Sequence, residues 1–271
     1  MPESRSLWIT RHLSSTQAAR LRETGWSFVS DTDISLDMAG YSASSPAHGP
    51  DVGVDRSGLK WPPAFSRVVH AILSMSAGER LVQTELAHVA GVSQPYVSGV
   101  LKNLVSSSLL TDRLRSPETD TWLNLTRIWA QARAWRPITT YWTGTVDLVQ
   151  GLRLARVALR QPWAVSGDIA ADAIAPWRRP EQLVILARGG TLASTPLVQV
   201  TSGEPAQVIL HATTDKIALP EDAPALPWRS EQLAVAQPLQ VWWDLLQSPG
   251  VDAPEAAEHL IGALAKQRAT R

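Results

Sequence analysis

The sequence predicts a multidomain α+β protein, and two patterns carry that prediction. Residues 84–105 show a helix, a tight turn and a second helix in succession. After residue 137, helical stretches alternate with short apolar runs bounded by Gly and Pro, which is typical of a mixed α/β domain. The 271 residues, 44% of them hydrophobic, suffice for two or three folded domains. The expected domains are 1–60, 61–136 and 137–271.

The first segment, 1–60, is predicted to be a small α/β segment. Residues 14–24 have the composition of a helix that ends at a glycine. Residues 26–30 and 34–38 are predicted to be short strands. Residues 42–58 are rich in Ser, Gly and Pro, which indicates a linker or a mobile loop.

Side chains that hold metals or form covalent intermediates are absent or scattered. There is no cysteine, which excludes disulfides, thiolate metal sites and a Cys nucleophile and is compatible with a reducing cytoplasm. The six histidines lack the spacing of a zinc site. Asp31, Asp33 and Asp37 could hold Mg²⁺ in a nuclease, but the lysine that usually accompanies such a site is missing, so surface acids are favoured. No metal, cofactor or catalytic residue is expected.

A helix beginning near Thr84 is the first half of the central pattern. Thr84 is a plausible N-cap. Leu86, Val89 and Ala90 share one apolar face at helical spacing. Gly91 follows, where a left-handed C-cap is expected. An earlier helix over residues 63–73 is predicted to complete a three-helix core.

The second helix begins at Ser93, which is predicted to be its N-cap, with Pro95 in the first turn. Its inner face is Val97, Val100, Leu101, Leu104 and Val105. This layout is that of a helix-turn-helix, whose second helix enters the major groove of DNA. The residues expected to face the groove are Ser93, Gln94, Pro95, Tyr96, Ser98 and Lys102. The alternative is a helical pair used only for packing.

A two-stranded wing is expected directly after this helix. Residues 111–115 and 121–125 are predicted to be its strands, which would make the domain a winged helix. Arg113 and Arg115 near the tip would then reach phosphates or the minor groove. The alternative is an ordinary solvated hairpin. A connecting helix is predicted over 127–135.

The third segment, 137–271, is predicted to alternate strands and helices, with a long loop around 224–228. The predicted strands are 139–143, 162–167, 183–187, 197–201 and 207–212. The predicted helices are 146–159, 168–175, 239–247 and 255–266.

Ser166, Gly167 and Asp168 form a small-residue turn similar to the one that holds triphosphate in the nucleotidyltransferase fold. That chemistry also needs two carboxylates one residue apart on a following strand, to bind two metals. The candidate strand 183–187 has none. The third domain is therefore expected to be nucleotidyltransferase-like but to lack the catalytic carboxylates.

Charge gives little long-range attraction for nucleic acid. Net charge is zero, although residues 61–136 carry eight basic and five acidic side chains. Binding would depend on a local patch, and a homodimer would be the natural way to gain affinity. The first residues lack the apolar core of a signal peptide, and no apolar run approaches the ~20 residues of a membrane span. A cytoplasmic protein without a membrane partner is expected.

Several phrases of the chain resemble AbiEi-type antitoxins of type IV toxin–antitoxin systems. They occur at 14–29, in the segment beginning at Trp61, at 163–180 (W-A-V-S-G-D-I-A-A-D-A-I-A-P-W-R-R-P) and at 237–260. The resemblance implies a repressor that binds operator DNA near its own promoter. It also implies an inactive nucleotidyltransferase-like domain that counters a toxin without forming a stable complex with it.

The sequence thus predicts a non-enzymatic, sequence-specific regulator that binds double-stranded DNA as a homodimer and autoregulates an operon. Its expected contacts are the six groove-facing residues together with Thr84, Arg113 and Arg115. Two alternatives remain open. One is a nucleotidyltransferase acting on nucleic acid or nucleotides, and the other is a small-molecule-sensing regulator without a toxin partner.

Overall fold

The computed structural model describes residues 7–9, 20–21, 26–29, 34–38, 41–44, 60–133, 135, 137–160, 162–202 and 204–270. Within these ranges it contains eight complete helices and eleven strands, so the mixed α and β class is confirmed. None of the helices in these ranges is both long and apolar enough to cross a bilayer.

Nine strands form one sheet. They are β1 (Leu7–Ile9), β2 (Ser27–Val29), β3 (Ile34–Met38), β4 (Tyr41–Ser44), β5 (Ile138–Thr143), β6 (Trp163–Ser166), β7 (Leu183–Ala187), β8 (Val198–Val200) and β9 (Val208–Ala212). They are ordered β1, β2, β3, β4, β5, β9, β7, β6, and β8 pairs with β5 outside that path. The pairs β1–β2 and β7–β9 are parallel. Strand β5 is antiparallel to β4, β8 and β9.

The other elements are a hairpin and the helices. Strands β10 (Ala225–Trp228) and β11 (Glu231–Ala234) pair antiparallel. The helices are α1 (Pro63–Leu73), α2 (Gln83–Ala90), α3 (Gln94–Ser106), α4 (Thr119–Ala132), α5 (Leu148–Ala158), α6 (Gly167–Ile174), α7 (Pro238–Leu246) and α8 (Ala253–Ala269).

The described residues group into two compact units, each built from separate stretches of chain. The sheet unit takes its residues from 1–48, 136–165 and 180–214. The helical unit takes its residues from 49–135, 166–179 and 215–271. This division differs from the three consecutive domains suggested by the sequence, because the last part of the chain groups with α1–α4.

The sheet unit is centred on β7, whose five apolar residues are all buried. Strand β9 runs parallel beside it and is in turn antiparallel to β5. Asp147 is the N-cap of helix α5, and its carboxylate accepts a hydrogen bond from the backbone N–H of Gln150 at 2.8 Å. Leu152 and Ala155 on α5 are fully buried. The strand predicted at 183–187 and the helix predicted within 146–159 are therefore confirmed.

In the early part of the chain, the strand predicted at 34–38 is confirmed as β3, and the one at 26–30 is observed as Ser27–Val29. Most of the helix predicted over 14–24 lies outside the described residues, as do Asp31 and Asp33. Strand β4 occupies the beginning of the stretch 42–58 that was expected to be a linker.

The core of the helical unit forms where α4 packs on α1. Phe65, Val68, Val69 and Ile72 make α1 apolar on its inner side, and all four are buried. The indole N–H of Trp122 donates to the carbonyl of Leu73 at 2.8 Å, and that of Trp129 donates to the carbonyl of Ser66 at 3.1 Å. Each tryptophan thus fills the core and satisfies a buried backbone carbonyl.

Helices α7 and α8 complete the same core. The Trp243 indole of α7 is buried and donates to the carbonyl of Ala130 on α4 at 3.3 Å. On α8, the Arg268 guanidinium is 7% exposed and donates to the carbonyl of Pro117 at 2.8 Å. Residues 61–135 therefore bury part of their apolar surface against residues from 215–271.

The predicted wing is wrong in both strands, because residues 111–115 form only an isolated bridge at Arg115. Residues 121–125 lie inside helix α4. Although Leu123 and Leu125 alternate with polar neighbours, Trp122 and Trp129 are seven residues apart, a helical spacing that puts both into one core. Burial of two indoles outweighs the weaker strand preference of the threonines. The connecting helix predicted at 127–135 is the second half of α4.

The long loop expected around residues 224–228 is also different, because it is the first strand of the β10–β11 hairpin. Its connection is the two residues Arg229 and Ser230, and Arg229 adopts a positive φ of 52°. Two-residue hairpin turns usually have Asn or Gly at a position of positive φ. Because Arg229 occupies this one, the sequence does not indicate the turn.

Replacing Trp243 by Ala should lower the free energy of unfolding by about 3–5 kcal/mol, because it removes a buried indole from the contact between α7 and α4. Since α1–α4 share that core, amide hydrogen exchange in α3 should accelerate together with exchange in α7 and α8. Trp177→Ala, which removes an indole that is 55% exposed in the same unit and stacks on His259 of α8, is the control for exchange in α3. Unchanged protection of α3 in the Trp243 variant would show that α1–α4 fold independently.

Candidate nucleic-acid interface

The turn between α2 and α3 is built from the residues that the sequence indicated. Gly91 adopts the left-handed conformation at φ 63°, which ends α2. Ser93 is the N-cap of α3, and its hydroxyl accepts a hydrogen bond from the backbone N–H of Tyr96 at 3.4 Å. Val92 lies half-buried between the two helices. The turn thereby fixes where α3 begins.

Helix α3 separates an apolar inner face from a polar outer face. Val97, Val100, Leu101 and Leu104 are buried, as predicted, and each is at most 2% exposed. Ser93, Gln94, Pro95, Tyr96 and Lys102 are exposed, and Ser98 is half-buried. The six residues expected to face a groove therefore lie on the solvent side of one helix in the helical unit.

Two details of α2 differ from the expectation. The helix begins at Gln83, with Val82 as a cap that offers no side chain, so Thr84 is in the first turn and is not the N-cap. Thr84 is nonetheless exposed. Val89, expected on the inner face, is 47% exposed, because Leu86, Ala87 and Ala90 make the contact with α3 and α1.

Gln83 also belongs to this surface, although no local sequence pattern indicates it. Its side-chain oxygen accepts a hydrogen bond from the Gln94 amide nitrogen at 3.1 Å. The contact joins the first residue of α2 to the first residue of α3 and leaves the Gln94 carbonyl oxygen and one N–H facing solvent. The two glutamines are eleven residues apart, so the hydrogen bond between them is visible only in the folded structure.

Residues 111–116 are here named the basic loop. Arg113 and Arg115 are exposed in it, as expected, but the loop is not part of a hairpin. Residue 115 forms an isolated antiparallel bridge with Arg80. The Arg115 guanidinium donates to the carbonyl of Gly78 at 3.0 Å. The backbone N–H of Leu81 donates to the carbonyl of Leu114 at 2.7 Å. The basic loop thus lies against the segment that leads into α2.

These contacts bring most of the predicted residues to one edge of the helical unit. Leu81 lies beside the basic loop, Gln83 follows two residues later, and Gln83 contacts Gln94 at the start of α3. Thr84 is next to Gln83 in the chain. Lys102 lies farther along, about 12 Å from Gln94 at the helical rise of ~1.5 Å per residue. Polar and cationic side chains therefore occur together from the basic loop to the outer face of α3.

The small-residue turn at Ser166 has a structural role in the helical unit. Ser166 is fully buried, and its hydroxyl donates to the Asp244 carboxylate at 2.5 Å. Asp168 is 2% exposed and is held by the Arg178 guanidinium at 2.5 Å. Arg178 also contacts Asp252 at 2.6 Å. The side chains that a triphosphate would need are therefore occupied by protein groups.

Within the described part of the chain, no three His, Asp or Glu side chains come together as a metal site. Comparison with known proteins found no matching family model, curated protein or solved structure. The functional assignment therefore depends on the side chains of α2, α3 and the basic loop.

Asp244 makes the stability of the helical unit depend on pH. Burial raises the pKa of its carboxyl group from 3.8 to about 6, against the hydrogen bonds from Gln240 and Ser166 and the charge of Arg133. Because the folded pKa exceeds the unfolded one, Asp244 favours folding most below about pH 4. That contribution is lost as the pH rises through about 6.

Asp244→Asn keeps an oxygen acceptor and removes the ionisation. Relative to the native protein, the variant should gain roughly 3 kcal/mol of unfolding free energy between about pH 4 and pH 8, because a rise of about two in pKa corresponds to that amount. Burial and the Arg133 charge lower the pKa of His70 to about 4, but both proteins share that titration. Denaturant unfolding at several pH values measures the difference, and a pH-independent difference would contradict the assignment.

Proposed function

We propose that this protein is a sequence-specific regulator of transcription that binds double-stranded DNA through the outer face of α3. The carrying observation is the separation of the two faces of that helix. Four of its inner residues are buried and Val105 is half-buried, while Ser93, Gln94, Tyr96 and Lys102 face solvent. An α-helix presented in this way fits the major groove, which is about 12 Å wide, without any rearrangement of the core.

Gln94 is the best candidate for reading a base. A glutamine amide can pair bidentately with the N6 and N7 positions of adenine. Its contact with Gln83 restricts the orientation of the amide, so less rotamer entropy is lost on binding. Ser93, Tyr96 and Ser98 surround it and can donate or accept further hydrogen bonds.

Phosphate contacts are assigned to Thr84, Lys102, Arg113 and Arg115. Cations beside the recognition helix fix its register on the duplex but carry no sequence information. Because the net charge of the chain is zero, these few contacts supply modest affinity per molecule. A homodimer on two half-sites, one helical turn of DNA apart, would add the affinity that one copy lacks.

The biological setting is proposed from the resemblance to AbiEi-type antitoxins. In that setting the protein represses its own operon and counters a toxin without a stable complex. An alternative is a small-molecule-sensing regulator without a toxin. Nucleotidyl transfer is disfavoured by the burial of Ser166 and Asp168 and by the ion pair of Asp168 with Arg178.

The base-reading role of Gln94 is testable on a duplex recovered by selection from random DNA with the full-length protein. Gln94→Ala should weaken discrimination at one base pair by roughly 1–3 kcal/mol and leave the other positions unchanged. Val157→Ala is the control, since Val157 is 90% exposed on α5 of the sheet unit. Competition binding with single-base variants measures the effect. Equal preference profiles for the two variants would remove Gln94 from the interface.

Arg113→Ala should weaken binding to all sequences about equally and reduce the slope of log K against log salt by about one, because one phosphate contact is lost. Arg153→Ala, which removes an exposed arginine from α5, keeps the change in net charge the same and is the matched control. Titrations across salt concentrations measure both slopes. A slope unchanged from the native value for Arg113→Ala would exclude the basic loop from the phosphate contacts.

A further inference from the structure

Leu114 is the apolar residue between the two arginines of the basic loop. Its side chain is 63% exposed. Its neighbours Arg113 and Arg115 are also exposed, but their charged groups are well hydrated, whereas the leucine side chain is apolar. A single exposed leucine is ordinary on a protein surface. An exposed leucine that is fixed in space between two cations, next to a proposed DNA-binding helix, is a different arrangement.

The backbone of the basic loop is held from several sides. The Leu114 N–H donates to the Asp112 carboxylate at 2.9 Å, and the Leu114 carbonyl accepts from the N–H of Leu81 at 2.7 Å. The N–H of Ser116 donates to the carbonyl of Glu79 at 2.8 Å. The side chain therefore projects from a supported backbone and does not have to be ordered on binding.

Leu114 also lies on the edge that carries the start of α3. Leu81, its hydrogen-bond partner, is two residues from Gln83, a distance of at most about 7 Å along the chain. Gln83 in turn contacts Gln94. Leu114 is thus linked to the start of α3 through two hydrogen bonds and a short stretch of chain, so a duplex that receives α3 would have the basic loop nearby.

We propose that Leu114 is a wedge that inserts between two base pairs from the minor groove and kinks the DNA, while Arg113 and Arg115 contact the flanking phosphates. This inference rests on the proposed function. Apolar side chains that enter a base step in this way bend the duplex by roughly 20–90°. Pyrimidine–purine steps unstack most easily, so Leu114 would add sequence preference at a step that α3 does not touch.

Charge favours DNA over a second copy of this chain as the occupant. A two-fold contact through Leu114 would bring four arginines together with only two copies of Asp112, and this excess of like charge would oppose it. Phosphates flanking a base step supply the opposite charge on both sides of the inserted side chain.

The test uses the full-length protein and the duplex recovered by selection, with fluorophores at its two ends and 2-aminopurine placed in turn at each step of the site. The native protein should shorten the end-to-end distance and raise 2-aminopurine fluorescence at one step for each bound copy, which is two steps for a dimer. Leu114→Ala should lose most of both signals, and Leu114→Met, which keeps a long apolar side chain, should retain them. Val157→Ala should behave as the native protein.

The outcomes separate this inference from the proposed function. Specific binding with a straight duplex, or a kink that Leu114→Ala leaves unchanged, would overturn the wedge and leave the regulator standing. Failure of the selection to enrich any sequence would overturn the proposed function itself. Conversion of a dimer to a monomer by Leu114→Ala, with the bend per bound protein unchanged, would assign Leu114 to a subunit contact and overturn the wedge.

Discussion

The helical unit depends on a buried arginine held by three indole rings. The Arg133 guanidinium carbon lies 4.7 Å from the ring centres of Trp129 and Trp135 and 5.1 Å from that of Trp243. A carboxylate oxygen of Asp215 lies 3.9 Å from a terminal nitrogen of Arg133. Within the described residues, neither terminal nitrogen of Arg133 has a hydrogen-bond partner. Ring quadrupoles and the Asp215 charge must therefore offset the cost of burying this cation.

The aromatic cage joins parts of the sequence that are far apart. Trp129 and Trp135 come from the region of α4, while Trp243 comes from α7. By fixing α4 against α7, the cage supports α1, on which α4 packs, and α1 in turn supports α2 and α3. Since the stability of this core comes from the inner faces of the helices, the exposed outer side chains of α3 other than the N-cap Ser93 add little to it. These exposed side chains can therefore serve in recognition without loss of the core.

Local chemistry determined what the sequence could predict. Gly91 and Ser93 mark the ends of two helices through backbone rules that act within a few residues, and the inner face of α3 follows from a period of 3.6. The run of five apolar residues at β7 was equally clear. The placement of Ser93, Gln94 and Lys102 on the outer side of α3 was predictable for the same reason.

Long-range packing determined what the sequence could not predict. The second wing strand was assigned from local alternation at 121–125, whereas the indoles of Trp122 and Trp129 require a helix. Residues 215–271 were grouped with the strands because nothing local shows that Trp243 meets Ala130. Gln83 was missed because its contact with Gln94 crosses the turn. In each case the deciding partner is far away in sequence.

The central claim is that the outer face of α3 touches the bases of a specific duplex. Photo-crosslinking from a benzoylphenylalanine at position 96 tests it most directly, because Tyr96 is exposed in the first turn of that helix. We predict a crosslink from position 96 to the selected duplex. An excess of the same duplex without label should abolish it, and a scrambled duplex should not. Position 157 should give no crosslink. Equal crosslinking from positions 96 and 157, or equal competition by both duplexes, would contradict it.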